Sequence, residues 1–188
     1  MKILIVNPNI SQSVTELIRQ EALRAAQSET ELTVLTAGFG VAYIETPAEA
    51  AVGSYAALTL LAEHYAGHDA AIIAAFGDPG VQAAKEILPI PVIGLTEAAL
   101  ATAFLMGGRF GIVGISSRIG AWYRDTVQQL GLDSRFLGYR GLHGGFADVG
   151  KVHRDEKQLL LELCSAWADD GADSIILAGG RWPAWRDR

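Results

Sequence analysis

Short, continuously apolar runs alternate with longer stretches of helical periodicity along most of this chain. Lys2–Val6 is the first run. It is closed by Asn7-Pro8-Asn9 and followed by helical spacing from Ser11 to about Ala26, with Ser11 or Ser13 as N-cap. Leu32–Thr36 repeats the strand signal, a loop carries Gly38 and Gly40, and alanine-rich Pro47–His64 predicts a helix. Asp69–Ala75 predicts the next strand, Phe76–Gly80 an interruption, Val81–Ile87 a helix and Pro91–Leu95 another strand. Thr96 is the expected cap of a helix reaching about Met106. Beyond it come a strand at Phe110–Ile115, a helix at Ile119–Leu130 and a weaker strand at Ser134–Tyr139. After a polar stretch from Arg140 to Gly150, a helix at Asp155–Asp169 and a strand at Ser174–Ala178 complete the pattern.

Strands that are apolar throughout, rather than every second residue, are buried on both faces, and alternation with helices makes them parallel. The expected class is therefore α/β. A faint internal repeat adds to this: Asp69–Gly77 aligns without gaps on Asp173–Arg181, and Lys2–Asn9 has a counterpart in Phe110–Ser117. Two pseudo-symmetric lobes follow, 1–95 and 96–188, with their loops facing a cleft beyond the carboxyl ends of the strands.

Composition narrows the chemistry. Fifteen Lys and Arg against 21 Asp and Glu give a net charge of −6 over 188 residues, with no basic cluster before the last eight positions, so nucleic acid is not an expected partner. The apolar runs are far shorter than the ~20 residues of a membrane helix. The single Cys164 cannot close an internal disulfide and the N-terminus carries no signal-peptide pattern, which points to the cytoplasm. His64, His68, His143 and His153 lack metal-ligand spacing, so no metal is expected; His143, in the glycine-containing stretch, is the one worth testing.

Several residues at the ends of strands have two readings. The Asn7 amide either binds a substrate carbonyl or carboxylate, or caps the following helix. Phe76 and Gly77 either present backbone N–H groups to an anionic oxygen or only form a turn. Ser116 and Ser117, beside Arg118, either hold a carboxylate or act as N-caps.

Five segments together resemble the aspartate/glutamate/hydantoin racemase family, with the hydantoin racemase branch nearest: Ile3–Asn9, Ile44-Glu45, Asp69–Gly80, Pro91–Ala99 and Arg109–Val113. The Phe76-Gly-Asp-Pro-Gly80 stretch is the most specific of them. The resemblance implies a racemase-like fold, a small carboxylate or hydantoin as ligand, no metal and no organic cofactor, and a homodimer or larger assembly. It also implies a mechanism in which one cysteine thiolate removes the proton next to a carbonyl while a second thiol delivers one to the opposite face. Inversion through a planar carbanion requires such a pair.

Aligned on the two cysteine motifs, this chain carries Ala75 and Gly179 at the sulfur-bearing positions, so neither can exchange a proton. Substrate-binding positions carried over on the same motifs are Asn7, Glu45, Ala75, Phe76, Gly77, Ser116, Ser117, Gly179 and Gly180. Glu45 follows the loop that covers the cleft in the family. Asp78, the acid nearest Ala75, is either a substitute base or a cap on the Pro79–Ile87 helix. Cys164 sits in a helix among Leu161, Leu163 and Trp167 and reads as a buried structural thiol. The family continues beyond the second motif, whereas Arg181–Arg188 departs from its pattern; a frame shift near Gly180 or a short paralogue would account for this, with the second lobe left incomplete. The function classes that follow are a cofactor-independent racemase, a non-catalytic binding relative, and a one-sided lyase or decarboxylase.

Overall fold

The apolar run at the N-terminus forms β1 (Lys2–Asn7), and Ser11 caps α1 (Gln12–Ala25) by accepting the Val14 N–H. β2 (Glu31–Thr36) then lies parallel to β1 in register from Lys2 opposite Glu31 to Asn7 opposite Thr36. Helix α2 (Pro47–His64) opens with Pro47 after Thr46, whose side chain and that of Glu49 complete a reciprocal capping box. β3 (Ala70–Ile73), α3 (Val81–Ile87) and β4 (Val92–Gly94) complete a four-stranded parallel sheet in the order β2-β1-β3-β4. The structure, a computed structural model, describes residues 1–143 and 157–179.

A second parallel sheet has the order β6-β5-β7, built from β5 (Phe110–Ser116), β6 (Phe136–His143) and β7 (Ser174–Ala178). Helices α4 (Leu95–Met106), α5 (Gly120–Gln129) and α6 (Lys157–Asp169) are the others among the described residues. The chain divides into two compact units, Met1–Ala98 and Ala99–Arg188. The internal repeat of the sequence is visible in the pairing: Ile3 lies beside Ala70 in the first sheet, and Phe110 lies beside Ser174 in the second. In each sheet the first strand of the unit is flanked by the two strands that follow it in the repeat.

Each unit has its own core. Leu4, Val6, Ala57, Leu61, Ala71, Ile73, Val81 and Val92 pack between the first sheet and helices α2 and α3. Val113, Leu142, Leu160 and Trp167 form the corresponding core of the second. Close packing explains one glycine there: a Cβ on Gly111 would stand 2.6 Å from the Trp167 ring, whose indole N–H donates to the Ile112 carbonyl at 3.3 Å.

Two boundaries differ from expectation, each for a local reason. β6 continues through Arg140 to His143 because this edge strand keeps pairing with β5 as far as Ser116. The Arg140 guanidinium is accommodated by stacking 3.7 Å over the Trp167 ring and pairing with Asp170 at 2.7 Å. Helix α4 begins at Leu95, so Thr96 lies in its first turn instead of capping it. The described part of α6 begins at Lys157, and the residues before it lie outside the described ones.

Candidate functional site

In a parallel sheet all carboxyl ends lie on one edge, so β1, β3 and β4 deliver Asn7, Ala75 and Thr96 to the same edge of the first unit. The Ala74 N–H bonds the Val6 carbonyl at 2.8 Å and the Ala37 N–H bonds the Asn7 carbonyl at 3.0 Å, which brings the β2 and β3 loops against Asn7. Asn7 is fully buried. Its amide N–H groups donate to Asn9 Oδ1, the Ser11 carbonyl and Thr15 Oγ1, and its Oδ1 accepts the Asn9 N–H. The side chain thus ties the end of β1 to the start of α1. Glu45 is also buried, and its backbone N–H donates to Glu49 Oε2 at 2.8 Å, joining it to the start of α2.

After β3 the chain turns from Ala75 to Asp78, with the Asp78 N–H on the Ala75 carbonyl at 3.2 Å. Gly77 takes the third position at φ 101°, where a residue with a Cβ would be strained. Phe76 occupies the second position. Of the two readings of Gly77, the geometry fits the turn: its N–H donates to the buried Thr96 hydroxyl at 2.5 Å.

Asp78 is where the structure departs most from expectation. Its carboxylate caps α4 and not the Val81–Ile87 helix. Oδ1 accepts the Thr96 N–H and Oδ2 the Glu97 N–H, each at 2.8 Å. The group fits only because residue 94 is glycine: a Cβ there would fall 2.2 Å from the Asp78 carboxyl carbon. Burial pushes the Asp78 carboxyl above its ordinary value, opposed by the hydrogen bonds from Thr96 and Glu97. Asp78 also holds φ 52°, the one positive φ among described non-glycine residues. With both oxygens engaged by one helix, Asp78 is built as a clamp between the β3 loop and α4, a poor placement for a substitute base.

The second unit repeats the edge with different groups. Ser116, fully buried at the end of β5, accepts the Arg118 N–H through Oγ at 3.3 Å, while its carbonyl receives the Tyr139 hydroxyl at 2.5 Å. Ser117 is exposed. His143 ends β6 opposite Ser116. Gly179 follows β7 at φ 71°, and a Cβ on it would stand 3.4 Å from the Tyr123 hydroxyl and 3.8 Å from Ile115. Gly180, His153 and Arg181–Arg188 lie outside the described residues.

Sequence reasoning missed Thr96 as a partner of the Gly77–Asp78 turn, and it missed Tyr123 and Tyr139. Tyr123 lies one turn into α5, so its proximity to Gly179 shows only in the folded unit. Tyr139 had a signal: it faces Gly114 and Gly120, where a Cβ would meet its ring or hydroxyl within 2.5 Å.

Cys164 packs at the edge of the core formed by Val113, Leu142, Leu160 and Trp167, and burial raises its thiol above the ordinary value. A thiol held neutral is a weak nucleophile. Cys164→Ala should leave any ligand binding or proton exchange unchanged, and Ellman's reagent should react with the native protein more slowly than with the unfolded one. Rapid native labelling would show the thiol to be exposed and activated. No group of three or more His, Cys, Asp or Glu able to hold a metal occurs among the described residues, and no described helix is long and apolar enough to cross a membrane.

Two parallel α/β units of like topology, with site loops at the carboxyl ends of equivalent strands, define a racemase-type architecture. The Asp/Glu/hydantoin racemase family model matches residues 3–188. The chain is 32% identical over 183 residues to a hydantoin racemase of Paenarthrobacter aurescens, covering 94% of this chain and 76% of that protein. It is 31% identical to a hydantoin racemase of a Pseudomonas species, strain NS671, covering 94% and 72%. Among solved structures, the allantoin racemase of Klebsiella pneumoniae superposes with a TM-score of 0.85 at 30% identity, covering 96% of this chain and 74% of that one. That of Pseudomonas fluorescens gives 0.82 at 28% identity, covering 95% and 76%. This chain belongs to the Asp/Glu/hydantoin racemase family.

Proposed function

We propose that this protein binds a small hydantoin or related cyclic amide or carboxylate at the carboxyl edges of its sheets, and that it does not carry out two-thiol inversion. One observation supports this most: Ala75 and Gly179, aligned with the two sulfur-bearing positions, follow equivalent strands β3 and β7 and carry no group able to move a proton. Inversion needs an acid on one face of the carbon and a base on the other. The relatives that are hydantoin and allantoin racemases favour a ring bearing adjacent N–H and carbonyl groups over an open-chain amino acid. Glu45, Phe76, Ser117 and Gly180 remain the candidate ligand contacts. Asn7 and Ser116 act by shaping the loops, because their side chains are occupied within the protein. Localisation in the cytoplasm and assembly into a homodimer or larger form belong to the same proposal.

Binding can be measured separately from chemistry. Thermal denaturation with 5-substituted hydantoins, allantoin, aspartate or glutamate present should show saturable stabilisation by one of the ring compounds, following RT ln(1 + [L]/Kd). Stabilisation by aspartate or glutamate alone would reassign the ligand class. Absence of any response would remove the binding reading.

A further inference from the structure

We propose that the open edge of β7 is an interface with a second copy of this chain, the two β7 strands pairing antiparallel about a two-fold axis. This locates the homo-oligomer of the preceding reading, on which it rests. The argument begins with the internal repeat, whose gapless alignment sets Ala71 against Ile175 and Ile73 against Leu177. In the first unit β4 lies alongside β3: the Ala71 N–H donates to the Pro91 carbonyl at 2.8 Å, and Ile73 is 0% exposed. In the second unit β7 pairs with β5 alone among the described residues, and Leu177 is 39% exposed. The Ser174 N–H is turned toward β5, bonding the Arg109 carbonyl at 3.3 Å. Alternation along the strand then turns the N–H and C=O groups of Ile175 and Leu177 to the open side, where the repeat has the groups of Ala71 and Ile73 face β4.

The other edge strands are blunted, and β7 is not. β2 begins at Glu31, which pairs with Lys2, and the Arg19 guanidinium donates to its Val34 carbonyl at 2.9 Å. β4 is three residues long and follows Pro91. β6 carries Arg140 and shifts register against β5 between Phe110 and Gly111. Charge, proline, brevity and irregularity are the devices that keep a sheet edge from adding another strand. β7, Ser174-Ile-Ile-Leu-Ala178, has five residues in unbroken register with β5 and none of these devices.

The strand itself specifies a second copy as its occupant. Reversal about an axis through Ile176 sets Ile175 of each copy opposite Leu177 of the other. Both residues turn their backbone groups outward, so each pair exchanges two N–H···O bonds. Their side chains share one face of the joined sheet, so the exposed Leu177 is covered by Ile175 of the second copy. Ser174 falls opposite Ala178, and no like charges meet. An isologous contact of this kind satisfies both copies at once and leaves neither β7 edge open.

Sedimentation velocity on the purified full chain over a concentration series reads the assembly, with a dimer or a multiple of it expected. Leu177→Lys gives β7 the charge that other edges carry and should raise the dissociation constant by about 30-fold or more, as for the loss of an interface anchor. Far-UV circular dichroism should stay unchanged, since this side chain is partly exposed. Cross-linking is the second measurement, in a Cys164→Ala background. Two copies of Ile176→Cys would lie across the axis as a non-hydrogen-bonded pair with Cα atoms about 4.5 Å apart, within disulfide range. Copper-phenanthroline oxidation should therefore join the chains in pairs on a non-reducing gel, whereas Leu177→Cys, offset from its own counterpart by two residues, should not. A monomeric wild type would overturn both this surface and the homo-oligomer of the preceding reading. An oligomer unmoved by Leu177→Lys, or linked through position 177 in preference to 176, would overturn this surface alone. The hydantoin thermal shift, read on the same preparations, tests ligand binding separately from either.

Discussion

Introducing both thiols, Ala75→Cys with Gly179→Cys, should raise the rate of hydantoin inversion by about 10²-fold or more over the wild type, since a positioned acid or base contributes about 10²–10⁴-fold. Ala75 is half-buried on the turn after β3, so the change adds only a sulfur to an existing Cβ. Gly179 is harder. Its φ of 71° disfavours any side chain, at a cost of about 1–2 kcal/mol. The Cβ itself would meet the Tyr123 hydroxyl at 3.4 Å, which is ordinary contact. Ala75→Cys alone supplies one thiol of the pair, and its rate should lie between those of the wild type and the double variant. Chiral chromatography of a single hydantoin enantiomer reads all three. No gain in a folded double variant would contradict the alignment of positions 75 and 179 with the two sulfur-bearing positions.

Asp78→Ala should destabilise the protein by about 2–3 kcal/mol, the combined effect of a lost helix cap and two partly buried N–H groups left without acceptors. The carboxylate holds Thr96 and Glu97 at the start of α4, and Thr96 in turn holds Gly77, so one deletion loosens both the β3 turn and the helix. Urea denaturation reads the loss; a change below about 0.5 kcal/mol, the level of an ordinary surface substitution, would show that the clamp is dispensable. Asp78→Asn separates charge from shape. Because burial raises the folded-state carboxyl above 3.8, the native state binds the proton more tightly than the unfolded chain does. The stability this adds is present below pH 3.8 and is lost as pH rises through the folded value. Wild-type stability relative to Asp78→Asn should therefore decline as pH rises through that window. A rise over the same interval would mean that the hydrogen bonds outweigh burial.

The α/β class was legible because continuous apolar runs such as Leu4–Val6 and Ile112–Val113 leave little room for a half-exposed strand, and because Pro47 after Thr46 marks a helix start unambiguously. The gapless repeat between Asp69–Gly77 and Asp173–Arg181 carried the equivalence of β3 and β7, which the strand pairing reproduces. The site was legible only in part. Asp78 precedes α3 by a few residues, so a local cap was the natural expectation. Its real partner is 18 residues away at Thr96, and the enabling signal, Gly94, looks like any strand-ending glycine. Asn7 reads from sequence either as a ligand-binding amide or as a cap of the following helix, and its amide is taken up by Asn9, Ser11 and Thr15 at the start of α1. Tyr123 carries no motif at all; its proximity to Gly179 exists only in the folded unit.

Polarimetry on the unaltered protein tests the central claim most directly. With one enantiomer of a 5-substituted hydantoin at neutral pH, and a ligand shown by thermal shift to bind, the optical rotation should decay at the buffer rate alone. Decay well above the buffer rate, proportional to protein concentration, would mean that inversion proceeds with alanine and glycine at positions 75 and 179, and would contradict the account.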